Sequence, residues 1–171
     1  IDLKVDKNGK IVVITQTNNN GIVLFKNGSL NDWQIQFKGS LNNSNIINNK
    51  LNPFNLTGCL NIYNMNLVNV SFKINDSSCE DAINLIQTRG TINEIYVDSS
   101  VSDAVDMDFS NLQVENINIE PEPDINKVTV KIKYSFKNGE RIVRIFKSSD
   151  FKIKRINSYS LSDDDRLMLL A

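Results

Sequence analysis

Histidine is absent from the 171 residues of the chain, and its absence restricts the chemistry that the chain can carry out. Without an imidazole, the chain can form neither a Ser-His-Asp nor a Cys-His nucleophilic site, and it has no histidine general base. The two cysteines, Cys59 and Cys79, lack the spacing of metal ligands, and no histidine completes a mixed zinc site with them. Any catalysis would therefore use carboxylates, lysine, tyrosine or the backbone.

Long apolar runs are absent as well. No run approaches the roughly 18 residues that span a bilayer, and the first 30 residues lack a signal-peptide pattern. We therefore expect no membrane span. Because the chain opens at Ile1 without an initiator Met, we also expect a processed or excised fragment, in which a removed signal peptide would leave no trace.

Clusters of basic residues interleaved with aromatics are missing, so a nucleic-acid partner is not expected. The formal net charge is −1, but residues 1–120 hold 8 Lys/Arg against 13 Asp/Glu, whereas residues 121–171 hold 11 against 7. This asymmetry is consistent with ordinary solvated strand faces or with a basic arm for an acidic partner.

Short alternating segments rich in Ile, Val and Phe recur along the chain, separated by clusters of Asn, Gly and Ser. Examples are residues 21–25, 33–37, 69–74 and 116–119. Alternation with a period of two, bounded by turn residues, is typical of short β-strands. The sequence therefore predicts an all-β protein.

An internal repeat predicts the architecture. Leu60, Ile83 and Val105 begin segments with the same apolar pattern at offsets of 23 and 22 residues, and the same offsets align Phe72 with Ile95 and Ile117. A strand-patterned repeat of about 22 residues suits one coil of a solenoid. We predict a right-handed parallel β-helix over residues 1–120, with its clearest repeats after residue 20.

Stacked coils would place these repeated residues in two interior ladders, one of Leu60, Ile83 and Val105 and another of Phe72, Ile95 and Ile117. The abundant asparagines fit the corners, because Asn tolerates left-handed backbone and can bond to nearby backbone groups. Asp81 and Asp103 recur at one coil position, where we expect a structural role at a corner. The alternative, an acid catalyst, would require both to be exposed near Glu80.

The coil template ends at Pro121 and Pro123, which cannot donate strand hydrogen bonds. Residues 121–171 are predicted to form a β-hairpin cap or small accessory module. Its strands are expected at 128–136 and 141–146, joined by an Asn-Gly turn at 137–140, with a third strand at 151–156. Its basic side chains would protect exposed strands or dock an anionic glycan or acidic partner; they are Lys127, Lys131, Lys133, Arg144 and Lys154.

The candidate site comes from the outward positions of three coils. If Val105, Met107 and Phe109 point inward, Ala104, Asp106 and Asp108 point outward, and Asn84 and Tyr63 lie beside them in the neighbouring coils. The resulting polar groove predicts a sugar-binding surface at Tyr63, Asn84, Asp106 and Asp108. The two carboxylates, about 6.8 Å apart at Cα, could instead act as a glycosidase pair or hold Ca²⁺, or they could simply be solvated.

Two further features leave alternatives open. Cys59 and Cys79 either form a disulfide or remain two small, partly buried thiols. Trp33 shares an alternating segment with Ile35 and Phe37, which favours core or end-cap packing over a ligand platform.

The segments at 56–63, 79–84 and 102–110 resemble the coils of right-handed parallel β-helix repeat proteins of bacteria, some of which are attached to a spore-coat-type kinase-like domain. In that group a Thr-Gly coil, a Glu-Asp-Ala coil and a Ser-Asp-Ala coil with Asp-Phe-Ser follow one another, as they do here. The resemblance covers about residues 20–120 and implies the fold and an extracytoplasmic or surface setting, but no catalytic residue. The sequence departs from that group where the two prolines replace another Asp-bearing coil.

The leading functional prediction is a non-enzymatic β-helix, secreted or on a cell or virion surface, that presents an elongated face to a glycan or protein partner. One alternative is a polysaccharide-acting hydrolase or lyase that uses Asp106 and Asp108. Another is a structural component of a filament, spike or virion appendage. No cofactor other than a possible Ca²⁺ is expected, and a homo-oligomer is possible.

Overall fold

The computed structural model describes residues 1–18, 21–40, 56–100 and 103–120, together with the pairs 134–135, 140–141 and 159–160. The strands in chain order are β1 Asp2–Asp6, β2 Ile11–Thr15, β3 Val23–Asn31, β4 Gln34–Lys38, β5 Gly58–Ser77, β6 Asp81–Ile86, β7 Arg89–Ser100, β8 Asp103–Asp108, β9 Asn111–Glu120, β10 Tyr134–Ser135, β11 Glu140–Arg141 and β12 Tyr159–Ser160. Within those residues there is no helix, so the described protein is all-β.

The strands stack as the coils of a β-solenoid. β2, β4, β5, β7 and β9 pair in parallel in that order, while β3 pairs with β5, β5 with β6 and β6 with β8, also in parallel. The solenoid has about four turns. The predicted architecture of stacked parallel coils is therefore confirmed.

Each coil has three sides, because the long strands bend around corners. We name them by the residues that stack on each. Face one comprises residues 11–15, 34–38, 71–75, 94–98 and 116–120; face two comprises 23–26, 60–63, 83–86 and 105–108; face three comprises 28–31, 65–68, 89–92 and 111–114.

The interior ladders form as predicted. On face two, Leu60 pairs with Ile83 and Ile83 with Val105, and each is at most 1% exposed. On face one, the ladder of Phe72, Ile95 and Ile117 continues upward to Ile35 and Val12. Each inner side chain packs against neighbours in the coils above and below, so the core is continuous along the solenoid axis.

An insertion hides the earliest repeats from sequence inspection. Val23 pairs with Leu60 and Gln34 with Ser71, an offset of 37 residues rather than 22 or 23. The excess over 22 equals the length of segment 41–55, which lies outside the described residues. The first coils therefore follow the same template, but their spacing conceals it.

One corner, between faces two and three, is a column of left-handed residues. Asn27, Asn64, Gln87 and Phe109 have φ of 57°, 49°, 51° and 52°. The prediction that asparagines occupy left-handed corners is confirmed here and at Asn69, with φ of 53°. The prediction that Phe109 points inward is wrong, because Phe109 lies at this corner, partly exposed and outside the buried core.

The described residue pairs of the C-terminal part, 134–135, 140–141 and 159–160, form short antiparallel strands. β10 pairs with β9, and β11 pairs with β12. β10 lies within the first strand predicted for the hairpin. Most of the predicted turn, most of the return strand and the strand at 151–156 fall outside the described residues, as do the side chains of Lys127, Lys131, Lys133, Arg144 and Lys154. The division into residues 1–120 and 121–171 stays a prediction.

Candidate functional site

The sequence placed the candidate site on the outer side of face two, and the register there is the predicted one. Asn61, Asn84 and Asp106 form one column across three coils, and the next column holds Tyr63, Ile86 and Asp108. The four predicted residues are therefore neighbours on the same side of one face.

The centre of this surface is nevertheless closed. Asn61 is fully buried and Asn84 is only 3% exposed, while Tyr63, Asp106 and Asp108 are half-buried. β6 is buried on both of its sides except at its last residue. The predicted open polar groove is therefore not present at Asn84, because alternation determines which side of the sheet a residue occupies but not whether that side meets solvent.

Hydrogen bonds satisfy the whole side-chain amide of Asn61 and the Nδ2 of Asn84, whereas the Oδ1 of Asn84 is buried without a partner among the described residues. The Nδ2 of Asn61 donates to the carbonyl oxygens of Gly58 and Val23, and its Oδ1 accepts from the Gly58 N–H. The Nδ2 of Asn84 donates to the Thr57 hydroxyl at 2.8 Å and lies 3.5 Å from an Asp81 carboxylate oxygen. Such bonds to nearby backbone and side chains are those expected of structural asparagines.

The acidic residues of face two are also engaged within the protein. Asp81 and Asp103 pair in register and are 2% and 6% exposed, as the structural interpretation of this position requires. Asp106 and Asp108 each make an interaction within the chain. β11 lies against β8, the strand that carries both. Among the described residues, no group of three or more Asp, Glu or Cys side chains could hold a metal ion, and the prediction of Ca²⁺ gains no support.

The question left open for the cysteines is answered by a disulfide between Cys59 and Cys79, whose Cα atoms are 5.3 Å apart. Cys59 alternates with the inward Leu60 and is fully buried. The bond therefore ties the start of face two to the corner that precedes the next coil. Trp33 is half-buried and packs against the core, so its predicted packing role is confirmed.

Face one presents a different outer side. Its outward residues form three columns that run across the coils; their side chains are half-buried, except for the exposed Lys38 and Lys73, and none is fully buried. From the N-terminal coil onward, the first column holds Ile11, Gln34, Ser71, Glu94 and Asn116, the second Val13, Gln36, Lys73, Tyr96 and Asn118, and the third Thr15, Lys38, Asn75 and Asp98.

An aromatic and a cation meet in the middle of this surface. The Nζ of Lys73 lies 5.3 Å from the centre of the Tyr96 ring, within the range of a cation–π contact. Beside them, Asn75 donates to a carboxylate oxygen of Asp98 at 3.2 Å, and Asn118 donates to Glu94. The neutral amides leave both carboxylates charged, and the outward Lys38 and Lys73 nearly balance the charge of this face.

The chemistry of the face-one surface is that of recognition. Amide and hydroxyl groups recur at the coil spacing of about 4.8 Å, a distance comparable to the advance of one sugar ring in an extended polysaccharide. A tyrosine supplies an apolar ring with a polar end, which suits stacking against a partly apolar ligand. The surface is flat, because it is the outer side of a parallel sheet.

The sequence reasoning missed this surface although its signal was present. The offsets that align Phe72, Ile95 and Ile117 also align the following residues Lys73, Tyr96 and Asn118. Applying the repeat to the outward positions of face one would have found them. The acidic residues of face two drew the prediction to that face instead.

Comparisons with protein-family models, with curated proteins and with solved structures give no match to this chain. The class of protein is therefore defined by its fold alone, as a β-solenoid of stacked parallel coils. The resemblance to bacterial β-helix repeat proteins stays a prediction. In the part of the chain that the structure describes, no helix has the length and apolarity needed to cross a membrane.

Proposed function

We propose that the protein is a non-enzymatic, extracytoplasmic β-solenoid that binds an extended polysaccharide along the outer side of face one. The observation that carries the proposal is the pair of Lys73 and Tyr96 at the centre of that surface, with the amides of Gln34, Asn75 and Asn116 in the flanking columns. The ligand would lie along the solenoid axis and meet polar side chains at successive coils.

The direction of the columns supports a polymeric ligand. Gln34 and Ser71 follow each other in one outward column, and Gln36 and Lys73 in the next, so successive coils present hydrogen-bonding side chains of different kinds along the axis. A chain of sugar units can therefore contact the surface at several coils. Several weak contacts in series raise the overall affinity without a deep pocket.

One observation supports a binding role over catalysis, and a second supports an extracytoplasmic setting. The carboxylates proposed for hydrolysis, Asp106 and Asp108, already interact within the chain, and the neighbouring Asn84 is buried. The disulfide between Cys59 and Cys79 is of a kind that persists mainly in oxidising compartments.

The test is retention of the 171-residue chain on an array of neutral and uronic-acid-containing polysaccharides, followed by titration of each binder. We expect saturable binding without release of sugar fragments. Tyr96→Ala should lower the affinity by about tenfold, since an aromatic contact contributes about 0.5–1.5 kcal/mol beyond the area it buries. Lys73→Ala should weaken binding less, with the larger effect on uronic-acid polymers.

Matched controls come from face two. Tyr63→Ala removes a half-buried tyrosine and Lys26→Ala an exposed lysine, and these two residues pair with each other in register on face two. Neither should change binding. Binding that is lost in Tyr63→Ala but kept in Tyr96→Ala would contradict the proposal, as would release of sugar fragments or the absence of binding to every polymer on the array.

A further inference from the structure

The N-terminal end of the solenoid exposes apolar side chains. Ile1, Leu3 and Val5 are 47%, 57% and 49% exposed, and among the described residues the other exposed large hydrophobic is Val68 at 40%. Three of these four residues therefore lie on one strand or beside it. Clustered exposed apolar groups of this kind mark interaction surfaces more often than scattered ones do.

β1 is held in place at both ends. Asp6 accepts hydrogen bonds from the backbone N–H groups of Asn8 and Gly9 in the turn to β2. At the other end, the Ile1 nitrogen donates to the Thr17 hydroxyl. The apolar residues of β1 are thus presented by an anchored strand.

The strand has an unused edge on the side away from β2. In the strand order β1 is terminal, and no strand within the described residues pairs with its outer edge. Leu3 and Val5 stand opposite the buried Ile14 and Val12 of β2, so they lie on the core side of the sheet. Such an edge with alternating apolar residues is a template for another strand.

We propose that the occupant of this edge is a second copy of the chain, paired β1 to β1 in antiparallel orientation about a two-fold axis at Leu3. In that register Leu3 faces Leu3 of the second copy, Ile1 faces Val5, and Asp2 faces Lys4. Apolar residues meet on one side and opposite charges on the other, and both kinds of cross-strand pair are stabilising. A two-fold axis closes the assembly as a dimer.

The neighbouring two-fold registers are worse. A register centred at Lys4 places Lys4 against Lys4 and Asp2 against Asp6, and like charges directly opposite each other are destabilising. A register centred at Val5 places Leu3 against Lys7. The register at Val5 also pairs Lys4 with Asp6, but it provides no apolar partner for Leu3 or Ile1. Like charges therefore exclude the register at Lys4, and the apolar pattern favours the register at Leu3 over the one at Val5. The association is independent of the glycan surface on face one.

The first experiment is oxidative cross-linking in the 171-residue chain. Both native cysteines are bonded to each other, so an introduced cysteine is the only free thiol. Leu3→Cys should give a covalent dimer under mild oxidation, because the two Cys residues would be opposite each other. Val5→Cys should not, because its equivalents would be four residues apart along the strands, beyond the Cα separation of about 7 Å that a disulfide can bridge.

The second experiment exchanges charges, with mass measured by light scattering during size-exclusion chromatography. Wild type should be dimeric, Asp2→Lys and Lys4→Asp should each shift it toward monomer, and the double variant should restore the dimer. Leu3→Ser should dissociate the dimer, whereas Val68→Ser, the matched change at the exposed apolar residue away from β1, should not. Circular dichroism verifies that each variant keeps its strands.

A wild type that stays monomeric at its solubility limit would overturn the proposal. So would a dimer that survives Leu3→Ser, or one that cross-links through Val5→Cys but not through Leu3→Cys. Failure to bind polysaccharide leaves these results unaffected, so the two proposals fail separately.

Discussion

Face one and face two are built on the same coil repeat, yet they differ on their outer sides. Both have inward ladders that are almost fully buried, such as Phe72 and Ile95 on one and Leu60 and Ile83 on the other. On face one every outward residue is at least partly exposed, whereas on face two the outward residues include the fully buried Asn61. The same backbone therefore carries one solvent-facing sheet and one sheet that is largely buried on both sides.

The side chains on the two outer sides reflect this difference. Face two begins with a column of small residues, Cys59, Ala82 and Ala104, all at most 1% exposed. Face one carries long polar side chains such as Gln36 and Lys73. Small residues permit close packing against an outer layer, whereas long polar ones hold their ends in water. On face two this column of small residues marks the part of the outer side that is fully covered.

The largest predicted change in stability distinguishes the inner side of face one from its outer side. Phe72→Ala removes a side chain that is 1% exposed and should destabilise the fold by about 3–5 kcal/mol. Lys73→Ala, at the next residue, should change stability by no more than about 0.5 kcal/mol. The free energies of unfolding come from urea titrations followed by circular dichroism. Equal losses in both variants would show that face one is covered on both sides.

The second effect concerns the disulfide at the start of face two. Replacing both Cys59 and Cys79 by Ala opens a bridge between residues 20 positions apart and should cost about 3 kcal/mol. Reduction of the wild type should cost a similar amount, and a reductant should not affect the double variant. Polysaccharide binding on face one should persist in the folded fraction. A double variant as stable as wild type would show that the bond contributes little to closing face two.

The sequence predicts the stacking of face two and face one because inward positions obey a simple rule. Leu60, Ile83 and Val105 must all be apolar to share one core, so their period is visible in the residues themselves. The ladders and the all-β class follow from that period. The first coils were less visible, because segment 41–55 lengthens the spacing between residues that pair in space.

Exposure could not be predicted in the same way. Asn84 and Tyr96 both occupy outward positions, and nothing in their own strands indicates that one is 3% exposed and the other half-exposed. What covers an outer side depends on contacts distant in sequence, such as that between β11 and β8. The open groove expected at Asn84 is absent for this reason, although the predicted register of face two is correct.

The third prediction compares the loss of stability when outward asparagines of face two and face one are replaced. Asn61→Ala on face two removes three hydrogen bonds and leaves the buried Gly58 backbone groups without their side-chain partner, so it should cost about 2 kcal/mol. Asn116→Ala on face one removes one bond to the Asn93 carbonyl at a half-exposed site and should cost about 0.5 kcal/mol. Thermal and urea unfolding of both variants gives the comparison. A larger cost at Asn116 would contradict the assignment of face one as the open side.

The smallest predicted change in stability is a gain rather than a loss, and it concerns the corner where face two ends. Phe109 adopts a φ of 52° directly after β8, and the left-handed region costs a residue with a bulky side chain about 1–2 kcal/mol. Asn64 and Asn27 occupy the same corner two and three coils earlier, and Asn tolerates this conformation. Phe109→Asn should therefore stabilise the fold by about 0.5–1 kcal/mol, because the relief of strain exceeds the apolar burial lost at a half-exposed site.

The control for this last change is Phe109→Leu, which keeps an apolar side chain without relieving the backbone, and which should give no gain in the free energy of unfolding. If Phe109→Asn instead destabilises the protein by as much as a core substitution, the phenyl ring must pack against an outer layer of face two. The strain at Phe109 would then be offset by that packing, and the covered region of face two would extend around the corner to Phe109.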